Sequence, residues 1–317
     1  MLAYLIVNLI VQKVFKMFKK EEDFVSNIKP NRQISSQFVV LDKEIKTSKA
    51  GNRYVELTIS DKTGNIIGRY FSNGSVDDMY DFIQLGEVYL ISGRANEFPK
   101  GSGQVNIIVN DMVKILSDNY NKDDFLRIST KDKQNLLSEI KKTIQKIDDV
   151  YLKNLLNSFF NDEFFLIKFT SAPAARYYHH NYLGGLLEHT AEVLELCKKV
   201  SEIFPELNND LLYTGAILHD IGKIEVYDYK LGAILYSEKG NLLDHIFISA
   251  DMVKRAMDNI EMPEKQKNQV LHLILSHHGD VENGWGSTVT PKTAEAIALH
   301  HADNLDAKVK GILQNQL

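Results

Sequence analysis

The sequence has one cysteine, no ATP-binding glycine loop and no apolar run long enough to cross a bilayer. The single Cys197 excludes an internal disulfide and a thiolate-based zinc site, and it is typical of a reducing compartment such as the cytoplasm. Without a Walker-type loop, ATP-driven chemistry has no support. The formal net charge of −5 over 317 residues means that any contact with nucleic acid needs a local basic patch.

The first residues are apolar but too few to span a membrane. The run Met1–Val11 is followed by four lysines before residue 21, which reverses the order of a secretory signal. Two interpretations of residues 1–30 stay open. They form an interfacial anchor, with residues 1–20 in contact with a membrane, or the start is mis-assigned and translation begins at Met17.

Histidine is absent from the first 178 residues, so all ten histidines lie between His179 and His301. Neutral imidazole and carboxylate are the ligands that hold divalent cations, so an ordered set of both indicates a metal site. The groups recur at intervals of roughly 25 to 32 residues, which suits one ligand from each of several helices in a bundle core. The set comprises His189, His219, Asp220, His245, His277, His278 and Asp303.

Residues 31–118 show the pattern of short β-strands. Apolar runs lie near residues 38–41, 54–59, 66–71, 87–95 and 104–115. A turn sequence, Asp61–Asn65, separates the second run from the third, and a short helical segment follows the third. Five strands with a helix after the third predict an all-β OB-fold barrel.

OB-folds commonly bind single strands by stacking bases on aromatic side chains beside basic ones. We therefore predict that Tyr54, Arg69, Tyr70 and Phe71 contact a nucleic-acid strand. A purely structural or protein-docking barrel is the alternative, because basic and acidic residues nearly balance in this region.

The remainder of the chain is predicted to be helical. Residues 119–170 form a charged helical connector, with apolar residues at helix-like intervals. Residues 171–317 form an all-α domain with helices near 184–200, 210–222, 241–260, 263–278 and 291–314. The fold class is therefore multidomain, an OB-fold barrel followed by a helical bundle.

The adjacent pair His219 and Asp220 is the centre of the predicted chemistry. Because a carboxylate has two oxygens, Asp220 can bridge two cations, with His189, His219 and Asp303 on one side and three histidines on the other. Two bridged cations share a water, lower its pKa and polarise a phosphoryl oxygen, which favours phosphoester hydrolysis. Lys223, one turn further on, is predicted to place a positive charge on the phosphate.

The order of these residues resembles a known family. The segments His189, His219–Lys223, His245, His277–His278 and Asp303 resemble the HD-domain metal-dependent phosphohydrolases. More narrowly, His179–His189, Ser276–Gly279 and Ala302–Ala307 look like the YhaM-type 3'-5' exoribonucleases, which also place an OB-fold before the HD domain. The resemblance runs from about residue 30 to the end of the chain.

The resemblance implies a manganese-type enzyme with two divalent cations, with Co²⁺, Fe²⁺ or Mg²⁺ as other candidates. It implies removal of nucleoside 5'-monophosphates from the 3' end of single-stranded RNA, with single-stranded DNA as a second candidate substrate. Asp303 occupies the family position for the last ligand, and Asp306 is its rival. Whether the chain forms a homo-oligomer stays open.

Three residues before the first ligand are predicted to contact substrate, namely Arg176, His179 and His180. Two alternative functions remain at this stage. The first is an HD-type nucleotide phosphohydrolase or phosphodiesterase, which keeps the site and changes the substrate. The second is a catalytically inactive regulatory protein that only binds nucleic acid.

Overall fold

The structure, a computed structural model, falls into two compact units. The first comprises Met1–Arg127 with Tyr229–Leu235, and the second comprises Ile128–Asp228 with Tyr236–Leu317. The described residues are 19–71, 75–116, 119–176, 178–228, 233–284 and 286–315. The predicted membrane contact of residues 1–20 and the alternative start at Met17 therefore fall almost wholly outside them.

The first unit contains a closed five-stranded barrel. Its elements are β1 Gln33–Thr47, β2 Arg53–Asp61, β3 Gly64–Tyr70, α1 Val76–Phe82, β4 Val88–Glu97 and β5 Val105–Lys114. The strands join in the order β1-β2-β3-β5-β4, and only the β3–β5 pairing among them is parallel. This arrangement, with a helix after the third strand, confirms the predicted OB-fold.

Alternation along β2 explains how the barrel fills its core. Val55, Leu57 and Ile59 are fully buried. Tyr54 and Glu56, which alternate with them, stay partly exposed. Successive side chains of a strand point to opposite faces, so a period of two places one set inside. The apolar runs of the sequence are thus the inner face of the barrel.

The second unit is built mainly from helices. Its elements are α2 Lys133–Lys146, α3 Val150–Phe160, α4 Glu163–Phe169, α5 Gly185–Ile203, α6 Asn209–Leu218, α7 Lys223–Val226, β6 Tyr227–Asp228, α8 Glu238–Asp258, α9 Glu264–Ser276 and α10 Ala294–Asn315. The strand β7, Leu235–Tyr236, has only Tyr236 in this unit. Asp132, Asp149 and Asp162 accept hydrogen bonds from first-turn amides, so side-chain caps start α2, α3 and α4. No helix in the described ranges is both long and apolar enough to cross a membrane.

Two details differ from the predicted helices. The helix expected over 210–222 ends at Leu218, and a short separate helix begins at Lys223. The region expected to be wholly helical also contains the β6–β7 pair. Each of these strands has two residues, too few to show an alternating pattern in the sequence.

Candidate metal centre

The seven side chains predicted as metal ligands come together inside the helical unit. They are His189 on α5, His219 and Asp220 directly after α6, His245 on α8, His277 and His278 directly after α9, and Asp303 on α10. All except His278 are buried. Charged and imidazole groups are rarely buried unless they are paired or bind a metal, so this concentration needs a chemical explanation.

The first half of the centre, called half A, consists of His189, His219, Asp303 and Oδ2 of Asp220. Nε2 of His189 lies 3.3 Å from Oδ2 of Asp220, 3.2 Å from Oδ1 of Asp303 and 3.2 Å from Nε2 of His219. Atoms bound about 2.1 Å from one cation lie roughly 3 Å apart when they are neighbours in its shell. The distances in half A match that spacing.

The second half, called half B, consists of His245, His277, His278 and Oδ1 of Asp220. Nε2 of His245 lies 3.5 Å from Oδ1 of Asp220 and 3.3 Å from Nε2 of His278. Nε2 of His277 lies 3.6 Å from the same Asp220 oxygen. The two oxygens of Asp220 therefore face different halves.

Two buried atoms of half B have no hydrogen-bond partner, namely Oδ1 of Asp220 and Nε2 of His277. Their residues are 1% and 0% exposed. A buried polar group without a partner costs about 1–3 kcal/mol, so native structures rarely keep one without a reason. A divalent cation satisfies both atoms, so the residues present fit a metal site.

Backbone contacts determine which nitrogen two of the histidines present. Nδ1 of His219 lies 2.9 Å from the carbonyl oxygen of Ala216, and Nδ1 of His277 lies 2.7 Å from that of Ile274. A carbonyl only accepts, so each Nδ1 carries the hydrogen and donates it. Each Nε2 consequently offers its lone pair to the centre, as a ligand nitrogen must.

Electrostatics keep several groups in the form that binds cations. Burial raises the pKa of Asp220, but Lys223 and His219 outweigh it and hold that pKa well below its ordinary value. Burial, with His278 and His219 nearby, holds the pKa of His277 well below its ordinary value. At neutral pH Asp220 is therefore ionised and His277 is neutral.

His189 differs from His277 because three carboxylates surround it. Burial lowers the pKa of His189, but hydrogen bonds with Asp220, Asp303 and Asp306 outweigh this and hold the pKa well above its ordinary value. Positive charge is thus favoured inside half A, where a proton and a cation compete for the same place.

A cavity of about 350 Å³ adjoins both halves of the centre. It is lined by Tyr178, His179, Lys223, His278, His300, Asp303, Asn304, Ala307 and Lys308. Asp303 belongs to half A and His278 to half B, so a molecule in the cavity meets both. Lys223 is buried, and its ammonium group lies 2.5 Å from Oδ2 of Asp220.

The three predicted contacts before α5 have different surroundings. His179 lines the cavity, and burial lowers its pKa to about 2, so its ring is neutral. His180 is fully buried and faces Asp306. The guanidinium group of Arg176 lies 5.7 Å from the ring centre of Tyr236. Of the three, only His179 is among the described residues that line the cavity.

Comparisons with known proteins agree with this architecture. A model of the HD domain matches residues 186–308, and a model of the OB-fold nucleic acid binding domain matches residues 39–115. The 3'-5' exoribonuclease YhaM of Listeria welshimeri is 30% identical over 277 residues, which cover 86% of this chain and 84% of that protein. This chain belongs to the YhaM family. The YhaM protein of Bacillus subtilis is 29% identical, over 86% of this chain and 84% of its own length. The YhaM protein of Bacillus velezensis is 28% identical, over 87% of this chain and 85% of its own length.

The barrel of this YhaM-family chain brings part of the predicted strand-binding set together. The rings of Tyr54 and Phe71 stack with their centres 4.8 Å apart, and Phe71 is 42% exposed. The guanidinium group of Arg69 lies 4.4 Å from the ring centre of Phe98, which is 53% exposed. Tyr70 instead packs against the barrel core, because its neighbours in β3 point to the opposite face.

His300 lines the cavity beside the centre and was not among the residues that the sequence predicted for the site. Its Nδ1 donates a hydrogen bond to the carbonyl oxygen of His277 over 2.8 Å. Gly279 follows the two histidines with φ +90°, and a Cβ there would lie 2.4 Å from the His300 ring. His300 and Gly279 thus shape the turn that carries two residues of half B.

Proposed function

We propose that this protein is a metal-dependent 3'-5' exoribonuclease that hydrolyses single-stranded RNA to nucleoside 5'-monophosphates. The observation that carries the proposal is the carboxylate of Asp220, whose two oxygens face two separate sets of imidazole and carboxylate ligands. The relatives that bear the name 3'-5' exoribonuclease YhaM, matched over most of both chains, support the reaction class.

We assign one divalent cation to half A and one to half B, with Asp220 shared between them. Bound there, such a pair supplies an activated water and withdraws charge from a phosphoryl oxygen. Mn²⁺ is the ion we propose, with Co²⁺, Fe²⁺ and Mg²⁺ as alternatives, because imidazole and carboxylate together suit first-row divalent ions. Lys223 adds a fixed positive charge at the wall of the cavity, where a phosphate oxygen can accept a hydrogen bond.

The cavity is the place we assign to the terminal nucleotide. Its volume of about 350 Å³ is near the lower end of the ~300–1,000 Å³ typical of small-molecule pockets. We assign one nucleotide to it at a time. Tyr178 is 49% exposed at its wall and packs against Gly311, which leaves one face of the ring for a base.

The barrel supplies a second contact with the strand. The stacked pair Tyr54 and Phe71 offers an aromatic surface that accepts any base, because every base has a π-face. Arg69 pairs with Glu56 over 3.0 Å and lies over the exposed ring of Phe98. Base stacking of this kind needs no net positive charge on the protein, which suits a net charge of −5.

The direct test uses 5'-labelled single-stranded RNA, purified protein and Mn²⁺. We expect a ladder of shortened RNA and release of nucleoside 5'-monophosphates, both abolished by a chelator. A parallel reaction with single-stranded DNA tests the second substrate. Release of phosphate from mononucleotides without shortening of RNA supports the nucleotidase alternative, and binding without any hydrolysis supports the inactive regulatory protein.

A further inference from the structure

A buried aspartate behind half A contacts two histidines through one oxygen. Oδ2 of Asp306 lies 2.6 Å from Nδ1 of His189 and 3.0 Å from Nε2 of His180. The other nitrogen of His189 faces Asp220 and Asp303. Asp306 therefore lies on the outer side of the His189 ring, away from the other ligands of half A.

This cluster is built to hold hydrogen bonds and not a cation of its own. The 2.6 Å contact of Asp306 is a direct charge-assisted hydrogen bond, shorter than the roughly 3 Å between neighbouring ligands of one ion. The nearby acids Glu188 and Glu192 already have a cation, because Lys310 donates to both over 2.8 and 2.9 Å. These two carboxylates therefore already share one positive charge.

The chain devotes several features to holding His180 against Asp306. His180 has φ +49°, a left-handed conformation that is uncommon outside glycine. The hydroxyl of Tyr182 lies 3.0 Å from its Nδ1, and its backbone N–H donates to the side chain of Gln314 over 2.8 Å. A Cβ at Gly185 would lie 2.1 Å from the His180 carbonyl oxygen. Strain that is maintained by this many contacts indicates a role for the ring.

Half B has a counterpart on the opposite side of the centre. Oδ1 of Asp244 lies 2.6 Å from Nδ1 of His245 and also accepts from the His245 backbone N–H. Asp244 has φ +56° and ψ 163° inside α8, so the helix is broken where it presents His245. Its side chain is 65% exposed, whereas that of Asp306 is 7% exposed.

We propose that Asp306 and Asp244 are positioning residues, each of which sets the cation affinity of one half of the centre. Each carboxylate accepts the Nδ1 hydrogen of one ligand histidine, which turns the Nε2 lone pair toward the centre and makes it more basic. Asp306, predicted from the sequence as a rival of Asp303 for the last ligand position, thus acts on the metal through His189.

Because their burial differs, the two residues should differ in how much they contribute to Mn²⁺ affinity. Asp306 is buried, so water does not replace its carboxylate in the variant. Asp306→Ala should therefore lower the affinity for one Mn²⁺ ion by about 10- to 100-fold. Asp244 is exposed, so water partly replaces its oxygen in the variant. Asp244→Ala should therefore lower the affinity for the other ion by less than about 10-fold. Asp306→Asn keeps an acceptor oxygen without the charge and falls between Asp306→Ala and the native protein.

The experiment is a Mn²⁺ titration of the metal-free protein, followed by electron paramagnetic resonance of free Mn²⁺. It rests on the metal centre of the proposed function but uses no RNA, so a failure to degrade RNA leaves its result intact. We expect two ions in the native protein. The double variant Asp306→Ala with Asp244→Ala should bind both ions with lower affinity, because each change acts on a different ion. Asp258→Ala, an exposed aspartate of the same helix α8, is the matched control.

Three results overturn the proposal. If Asp306→Ala binds both Mn²⁺ ions with native affinity, Asp306 is not a positioning residue. If the native protein binds a third ion that only Asp306→Ala loses, Asp306 is a ligand of a separate site. A double variant that keeps one ion at native affinity shows that both residues act on the same half. If Asp306→Ala does not fold by circular dichroism, His180→Gln replaces it, since this change leaves Asp306 in place and is expected to weaken one ion less strongly.

Discussion

The ammonium group of Lys223 donates a hydrogen bond to Oδ2 of Asp220 over 2.5 Å. Asp220 is 1% exposed and Lys223 is 5% exposed, so water does not screen this contact. The same lysine lines the cavity beside the centre. Lys223 thus contributes to keeping the shared carboxylate ionised and lies within reach of a bound phosphate.

Lys223→Gln removes this charge while it keeps a donor for Asp220. We expect kcat for RNA to fall by about 100-fold, the lower end of the ~10²–10³ loss for one preorganised electrostatic group. KM should change little, because the charge acts mainly on the transition state. Lys239→Gln, an exposed lysine paired with Glu225, is the steady-state control. Equal losses in both variants would argue against a catalytic role for Lys223.

Asp220→Ala should abolish RNA hydrolysis, because it removes one ligand oxygen from each half at once. Binding of single-stranded RNA should remain near its native level, since the barrel surface is unchanged. Fluorescence anisotropy with labelled RNA measures the binding, and gel analysis measures the hydrolysis. Residual hydrolysis above background would show that the centre does not depend on a shared carboxylate.

Tyr178→Ala tests the stacking of the terminal base in the cavity. We expect KM to rise by about 10-fold for ordinary RNA, because one base stack contributes ~1–3 kcal/mol. With RNA whose 3'-terminal nucleotide lacks a base, native and variant proteins should have the same KM. Tyr178→Phe keeps the ring and should behave as native. A defect that persists on the abasic substrate would exclude base stacking by Tyr178.

Phe71→Ala should weaken binding of single-stranded RNA by about 10-fold, because it removes half of the stacked pair with Tyr54. The measurement uses the Asp220→Ala background, so that substrate is not consumed. Phe82→Ala is the matched control, since Phe82 is an exposed aromatic residue of α1 in the same unit. Equal effects of the two changes would contradict a specific strand-binding surface.

The ion pair of Lys310 with Glu188 predicts a pH-dependent stability. Burial raises the pKa of Glu188, but Lys310 and Ser129 outweigh it and hold that pKa below its ordinary value. The stabilisation is therefore present above the ordinary glutamate pKa and is lost as pH falls through the lowered one. Lys310→Met should lower the free energy of unfolding by about 2 kcal/mol at pH 7, less than the ~3–5 kcal/mol for a fully buried pair.

Urea unfolding at pH 7 and pH 3 measures this effect. The difference between native and Lys310→Met proteins should be smaller at pH 3 than at pH 7, because the stabilisation is lost as the pH falls through the lowered pKa of Glu188. Lys198→Met, which breaks a more exposed pair with Glu195, should change stability by less than about 1 kcal/mol. A Lys310 effect of the same size at both pH values would assign it to lost packing and not to charge.

Residue type made the cluster of histidines and aspartates predictable from sequence. Histidine and aspartate at helical intervals are informative because the chemistry itself requires them. Position relative to the centre was harder, since Asp303 and Asp306 are the same residue type three positions apart on α10. Spacing places both on one face of the helix. Only the structure shows that one faces Nε2 of His189 and the other faces Nδ1.

Backbone geometry was the part that sequence patterns did not reveal. The barrel followed from alternation along strands such as β2, where inward residues are apolar. The break in α8 at Asp244 did not, because an aspartate within a helical pattern reads as an ordinary solvated residue. Tyr70 was grouped with Phe71 for its aromatic ring, but Tyr70 ends β3 and packs against the barrel core, whereas Phe71 follows the strand and is exposed.

Gly279 contributes no functional group, yet the turn after α9 depends on it. Any side chain there would meet the His300 ring and push it from the His277 carbonyl that it holds. A library that kept every ligand and randomised only residue 279 should therefore recover almost exclusively the parent codon. A design that copied only the ligand residues into another scaffold would therefore lack a residue that this centre needs.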